Sequence, residues 1–128
     1  MNKQLMVVGA VLGVTSVLLG AFGAHGLKTL IPADAINIFE TGVRYQMYHA
    51  LFLMVVGLIP LMANKSKKII LYLVLAGVIL FSGSIYGLAT NTLTSFDFKN
   101  IGFITPIGGL FLIVSWVYLI VNIIKYKS

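Results

Sequence analysis

The chain has 128 residues, of which 59% are hydrophobic and 9% are charged. A soluble domain carries about 25% charged residues, so this composition excludes an ordinary water-facing surface and favours the lipid bilayer as solvent. The net charge of +6 does not indicate a nucleic-acid partner, because the excess lies in short segments beside apolar runs. The absence of cysteine excludes disulfides, thiolate metal sites and dithiol redox chemistry.

Four apolar segments follow one another along the chain. Each is close to the roughly 20 residues that a helix needs to cross the hydrocarbon layer, and unpaired backbone groups are costly there, so each is predicted to be a helix. The first one also resembles a signal peptide, but its uncharged run is longer than the usual apolar core of about 7–15 residues, which favours a retained helix. The predicted helices cover residues 5–24, 45–63, 69–89 and 103–124.

The lysines predict the orientation of these helices. Cytoplasmic loops of membrane proteins carry an excess of lysine and arginine, whereas the two loops on the opposite side here each sum to zero charge. Both termini and the central link are therefore predicted to be cytoplasmic, in a multi-pass protein of the cell membrane. The lysines on that side are Lys3, Lys65, Lys67, Lys68, Lys125 and Lys127.

The first outer loop contains a further helical pattern. Ile36, Phe39 and Val43 recur at spacings of three and four residues, after Pro32, which suits the first turn of a helix. We predict a short interfacial helix over residues 33–41, which Gly42 either hinges against the second segment or joins to it in one long helix. The predicted fold is thus an all-α membrane protein, a single domain over residues 1–128 built as a four-transmembrane-helix bundle. The outer loop at residues 90–100 is predicted to be polar.

Small residues mark faces on which helices can approach closely. The hydrophobic effect does not drive helices together within lipid. Membrane helices usually associate through small side chains that let their backbones approach closely. Packing inside the bundle and contacts between copies of the chain are both consistent with these faces. They are formed by Gly9, Gly13, Ser16 and Gly20 in the first segment and by Gly83 and Gly87 in the third.

Ionisable and aromatic residues concentrate around the start of the second segment. Glu40 stands four residues before Arg44, which is the favourable order for a helical ion pair, and Tyr48 follows at the same spacing. Such a Glu40–Arg44–Tyr48 ridge either fixes the loop on the bundle or contributes to a binding site. Charged groups within a membrane segment are costly and often functional, so these residues are candidates.

Two histidines lie near this ridge. His49 is predicted about one turn inside the second segment, within reach of Tyr45, and His25 closes the first segment on the same outer side. His49 could relay protons or simply bond a neighbouring helix. A metal site formed by both histidines and Glu40 is disfavoured, because nine residues place Glu40 and His49 on opposite faces of one continuous helix. No metal or other cofactor is predicted.

Four blocks of this sequence resemble the signature blocks of the DUF423 (UPF0382) membrane proteins, a family that is similar to the transmembrane protein 256 group. They are LGAFGAHGL (19–27), FETGVRYQMYHAL (39–51), GSIY (83–86) and TPIGG (105–109). The resemblance implies a four-helix inner-membrane protein and no particular reaction. It also implies which positions to test, namely His25, Glu40, Arg44, Tyr45, His49 and Tyr86.

Three functions compete. The first is a small membrane-embedded binding or scaffold protein for a lipid, a hydrophobic small molecule or a partner membrane protein, with Arg44, Tyr45, Tyr48 and His49 suited to a headgroup or an aromatic ring. The second is a transporter or channel that uses His49 and the Glu40–Arg44 pair. The third is a lipid-modifying enzyme, which would need an acid–base pair; no nucleophile stands at a recognisable spacing from a base.

Overall fold

The computed structural model describes residues 2–93 and 102–126, and these residues are organised as helices. Short 3₁₀ turns at Leu27–Thr29 and Asn91–Leu93 follow the first and third long helices. Most of the predicted outer loop at 90–100, and Lys127, lie outside the described residues. The long helices are α1 (Asn2–Ala24), α2 (Ala33–Leu58), α3 (Asn64–Ala89) and α4 (Ile104–Lys125). Of these, α1, α3 and α4 are long and apolar enough to cross a membrane, which confirms an all-α membrane protein.

The helix predicted from residue 33 and the second apolar segment form one unbroken helix, α2. Of the two alternatives predicted at Gly42, this is the single long helix, and the separate short helix at residues 33–41 is not present. The reason lies in where its apolar stripe packs. Ile36 and Phe39 are buried in a cluster with Leu27 and Ile31 rather than resting on an interface. Gly42 is buried inside α2, where an added Cβ would lie 2.7 Å from the ring of Tyr86. Gly42 therefore serves close helix packing and not a hinge.

The first two helices run antiparallel in close contact. A Cβ on Gly9 would lie 2.7 Å from the carbonyl oxygen of Ala50, and one on Gly23 would lie 3.0 Å from the ring of Phe39. Part of the small-residue face of α1 therefore packs inside the molecule against α2. The third and fourth helices meet in the same manner, since a Cβ on Gly108 would overlap the backbone nitrogen of Phe81.

The two central helices of the chain form the middle of the bundle. Ten residues of α2 and nine of α3 are buried, against four in each of α1 and α4. The most polar helix, α2, is thus flanked by α1 and α3. Its glutamine and histidine, Gln46 and His49, are buried between these neighbours, as polar side chains of membrane proteins usually are.

One of the lysines predicted on the cytoplasmic side is buried. Lys67 is 2% exposed, and its Nζ donates hydrogen bonds to the Asn2 side-chain oxygen at 2.8 Å and to the Gly57 carbonyl at 3.4 Å. A cation near the last carbonyls of a helix is favourable because of the helix dipole. Lys67 therefore caps the end of α2 and ties it to the start of α1. Lys3, Lys65, Lys68 and Lys125 remain exposed.

Candidate functional site

A glutamine connects three helices near the middle of the bundle. The Gln46 amide nitrogen donates to the Leu12 carbonyl at 3.1 Å and to the Thr15 hydroxyl at 2.6 Å. Its carbonyl oxygen accepts a 2.6 Å hydrogen bond from the Tyr86 hydroxyl. Since Leu12 and Thr15 lie halfway along α1, Gln46 sits at half the depth of that helix. This network joins α1, α2 and α3 through side chains that lipid could not satisfy.

His49 lies one turn further along α2 and is 4% exposed. Trp116 Nε1 donates to His49 Nε2 at 3.1 Å, and His49 Nδ1 lies 2.7 Å from the Tyr45 carbonyl oxygen. The indole nitrogen can only donate, so Nε2 is the acceptor and the imidazole proton sits on Nδ1. Both ring nitrogens of this neutral histidine are therefore engaged, and the ring links α2 to α4.

The predicted position of His49, near the outer end with His25, is wrong. The prediction measured the depth of His49 from residue 45, whereas α2 begins at Ala33. The neighbouring Ala50 packs on Gly9, which lies in the first half of α1, away from the end that precedes His25. His25 is exposed just beyond the other end of α1. At 1.5 Å per residue, the two histidines are about 18 Å or more apart along the helix axes.

That separation excludes a site shared by the two histidines. In addition, residues 2–93 and 102–126 contain no group of three histidine, cysteine, aspartate or glutamate residues placed to hold a metal ion. Catalysis that needs the histidines as an acid–base pair has no support in this arrangement.

The predicted Glu40–Arg44 ion pair is not formed. Arg44 is exposed, and its Nη2 donates to the Thr41 hydroxyl at 3.1 Å instead, while Glu40 is half-buried. Tyr48 is 51% exposed, and its ring packs edge-on against Tyr45, with centroids 5.5 Å apart. The ridge therefore exists as an exposed face of α2 and not as a chain of paired charges.

Tyr86 belongs to the packing of the bundle. Its hydroxyl bonds Gln46, and its ring lies 5.1 Å from the ring of Phe39 and against Gly42. One turn away, the Ser82 hydroxyl of α3 donates to the Gly42 carbonyl of α2 at 2.8 Å, the kind of interhelical hydrogen bond that serine makes in membrane proteins. These contacts hold α3 against α2 around Gly42.

A cleft of about 320 Å³ opens between α2, α3 and α4, beside His49. Tyr45 is 40% exposed and Trp116 is 45% exposed, so the mouth of the cleft lies on the outer surface of the bundle. Gly109 contributes no side chain to the wall, which leaves the space open. The aromatic lining residues are Tyr45, His49, Phe81 and Trp116, with Ile113 at the rim.

Three important residues were missed from the sequence. Gln46 stands in the middle of an apolar run, where an unpartnered amide would be costly, and this was a usable signal. Trp116 is the only tryptophan, and it lies near the middle of α4 instead of at a membrane boundary, where tryptophan is usually enriched. Nothing in the sequence marked Gly109 as the gap that leaves the cleft open.

The fold and its buried polar contacts define a small all-helical membrane protein with an aromatic-lined cleft on its lipid-facing side. A family model described as a protein of unknown function, DUF423, matches residues 19–109. The chain belongs to this family, and the resemblance noted in the sequence is confirmed.

Two relatives cover nearly the whole chain. The UPF0382 membrane protein YwdK of Bacillus subtilis is 40% identical over 126 residues, which are 97% of this chain and 98% of that protein. A UPF0382 membrane protein of Haemophilus influenzae is 41% identical over 128 residues, which are 99% of this chain and 98% of that protein. These names support the membrane assignment and state no activity. No solved structure matches the chain.

Proposed function

We propose that this chain is a non-enzymatic binding protein of the cell membrane that holds a hydrophobic molecule, such as a lipid chain, in the cleft beside His49 and Trp116. The observation that carries the proposal is the cleft itself. Its volume of about 320 Å³ falls within the range of small-molecule sites, about 300–1,000 Å³, and its walls are mostly aromatic and aliphatic. Its mouth lies among residues that face lipid, so a ligand can enter sideways from the bilayer.

The proposal includes four membrane spans with both termini in the cytoplasm. Although α2 is more polar than its neighbours, the exposed residues of its second half, Leu51, Val55 and Leu58, are apolar and suited to lipid. The exposed lysines of the described residues fall at the starts of α1 and α3 and at the end of α4, with Lys28 the exception. Antiparallel helices bring those three ends together, which supports a cytoplasmic location for them.

The transport alternative finds less support in the geometry. It would require His49 to act together with the Glu40–Arg44 pair, with His49 and Glu40 exchanging protons. His49 is engaged by Tyr45 and Trp116, and it lies about 13 Å along α2 from Glu40. A continuous polar path between them is not supported by these contacts.

Trp116 is a built-in reporter for the cleft, because the chain has no other tryptophan. The protein is reconstituted into nanodiscs of phosphatidylcholine that contain a small fraction of lipid with brominated chains, a short-range quencher of indole fluorescence. We expect Trp116 to be quenched more strongly than random lipid contact predicts. A protein carrying Trp116→Phe and Ile120→Trp supplies the random value, since Ile120 is 53% exposed on α4 and is not part of the cleft lining.

The Gly109→Leu variant completes the test by filling the cleft with a side chain. We expect its Trp116 quenching to fall to the value of the Ile120→Trp control, with the helical content unchanged by circular dichroism. Wild-type quenching equal to that of the control, or quenching in Gly109→Leu as strong as in the wild type, would sink the proposal.

A further inference from the structure

The exposed face of α2 changes from polar to apolar along the helix. Its outer half carries polar residues at helical spacing, whereas the inner half continues the same face with leucine and valine. Where such a stripe enters the lipid, its polar groups need a partner, because the hydrocarbon offers no hydrogen bonds. The stripe consists of Asp34, Asn37, Thr41, Arg44 and Tyr48, followed by the apolar Leu51, Val55 and Leu58.

Arg44 is the strongest binding group of this stripe. Its guanidinium has five N–H donors, and the only hydrogen bond it makes within residues 2–93 and 102–126 is the one from Nη2 to Thr41. No carboxylate in that part of the chain forms an ion pair with it; Glu40, one turn outward, does not. Arg44 thus carries a permanent positive charge on a lipid-facing surface, and most of its N–H donors are unused. We expect such a group to bind an anion.

The depth of Arg44 fits the headgroup region of the outer leaflet. Val43 packs on Gly20 of α1, so Arg44 lies about 8 Å below the level of Ala24, where α1 ends. Side chains of a helix lean toward its N-terminus, which for α2 is the outer end, and the bond to Thr41 lies in that direction. The guanidinium thus reaches from the hydrocarbon toward the layer of lipid phosphates.

The stripe is continuous with the cleft. The ring of Tyr45 packs on Tyr48 of the stripe at 5.5 Å and on Phe81 of the cleft wall at 5.1 Å. Tyr45, the residue after Arg44, therefore connects the polar stripe to the cleft that Trp116 lines. One molecule with an anionic head and an apolar chain would match both regions at once.

We infer that Arg44 holds the phosphate head of an amphiphile whose chain occupies the cleft between Tyr45 and Trp116. This inference rests on the proposed function and adds the class of ligand. Phosphate is favoured because the planar guanidinium can donate two parallel hydrogen bonds to it, and because the anion that a bilayer supplies at this depth is lipid phosphate. The Thr41 hydroxyl donates its one proton to the Asn37 carbonyl and so only orients Arg44. Tyr45 and Tyr48, which are 40% and 51% exposed, follow Arg44 on α2 and have hydroxyls that could donate further hydrogen bonds.

The test compares brominated lipids that share their chains and differ in the head. Phosphatidic acid, phosphatidylglycerol, phosphatidylcholine and diacylglycerol are each titrated into nanodiscs that hold the wild-type protein. We expect Trp116 to be quenched at about tenfold lower mole fractions of the phosphate-bearing lipids than of diacylglycerol, the factor expected for one charge-assisted contact. Unlabelled isoprenyl phosphate and inorganic phosphate, as competitors, distinguish an isoprenoid ligand, a phospholipid and a free anion.

Two substitutions assign the effect to the guanidinium. In Arg44→Gln the preference for phosphate heads should disappear while chain quenching remains, and Arg44→Lys should keep only part of it, since an ammonium cannot form the paired contact. Glu40→Gln is the matched control one turn away and should retain the preference.

A preference that persists in Arg44→Gln, or that is absent from the wild type, would overturn the phosphate assignment. The binding function would then still stand if Gly109→Leu reduces quenching, so the two failures are distinguishable. A partner protein that supplies a carboxylate to Arg44 would appear as a stable complex lost in Arg44→Gln and would also refute the lipid assignment.

Discussion

The hydrogen bond from Trp116 to His49 joins residues 67 positions apart and fixes the imidazole against the wall of the cleft. Together with the contact to the Tyr45 carbonyl, it leaves neither ring nitrogen unpaired. The rings of His49 and Trp116 also pack edge to face, and Phe52 stacks on Trp116 at 4.1 Å. His49 is thus first a connection between α2 and α4, and its chemistry is constrained by that role.

His49→Ala should destabilise the protein, because it removes this connection and leaves a cavity beside Trp116. Large-to-small substitutions at buried sites cost about 2–5 kcal/mol, so we expect a clear loss of thermal stability in detergent. His25→Ala is the matched control; His25 is exposed, and its removal should change stability by no more than about 0.5 kcal/mol. Equal stability of the two variants would contradict the structural role of His49.

Gln46 and Tyr86 should be energetically coupled. The variants Gln46→Leu, Tyr86→Phe and the double variant form a cycle around the 2.6 Å hydrogen bond between the two side chains. Hydrogen bonds between membrane helices contribute about 0.6 kcal/mol on average and up to about 1.7 kcal/mol, and we expect a coupling free energy in this range. It is measured by unfolding in mixed micelles. Strict additivity of the single effects would show that the bond contributes nothing to folding.

Adjacent glycines of α4 should respond differently to alanine. A Cβ on Gly108 would overlap the backbone of Phe81, whereas one on Gly109 would lie 3.5 Å from the Phe81 ring, an ordinary contact. We therefore expect Gly108→Ala to separate α3 from α4 and to lower stability by about 1–3 kcal/mol, the usual cost of overpacking. Gly109→Ala should leave stability unchanged or raise it, since alanine favours helix. The reverse order in thermal unfolding would refute this packing.

Single-cysteine variants can test the proposed membrane topology, because the natural sequence contains no cysteine. Leu30, Ala63 and Thr92 are exposed at the ends of helices and can each be replaced by cysteine. In intact cells, an impermeant maleimide should label the cysteines at 30 and 92, and the one at 63 only after permeabilisation. Labelling of positions 30 and 63 from the same side would mean that α2 does not cross the membrane.

The sequence predicts the helical fold, but it does not predict which polar groups contact one another. Apolar runs located α1, α3 and α4 to within a few residues, because crossing a bilayer requires uniform hydrophobicity. A helix from residue 33 is also predicted, but its polar face leaves no such uniform run, and the sequence does not decide whether Gly42 interrupts it. Because the second membrane segment is predicted to begin at Tyr45, the predicted depth of His49 is too shallow. Its bond to Trp116 depends on the packing of distant segments, which hydrophobic periodicity does not encode.

Because α2 is unbroken from Ala33 to Leu58, it forms a stiff rod about 39 Å long. The same rod carries Arg44 just before its midpoint, the cleft residues Tyr45 and His49 just after it, and the Lys67-capped carbonyl of Gly57 at its far end. In the proposed membrane topology, a tilt of this rod at the outer leaflet would shift the hydrogen bond between Lys67 and Asn2 at the opposite face, so that the two faces of the membrane would be mechanically coupled through α2.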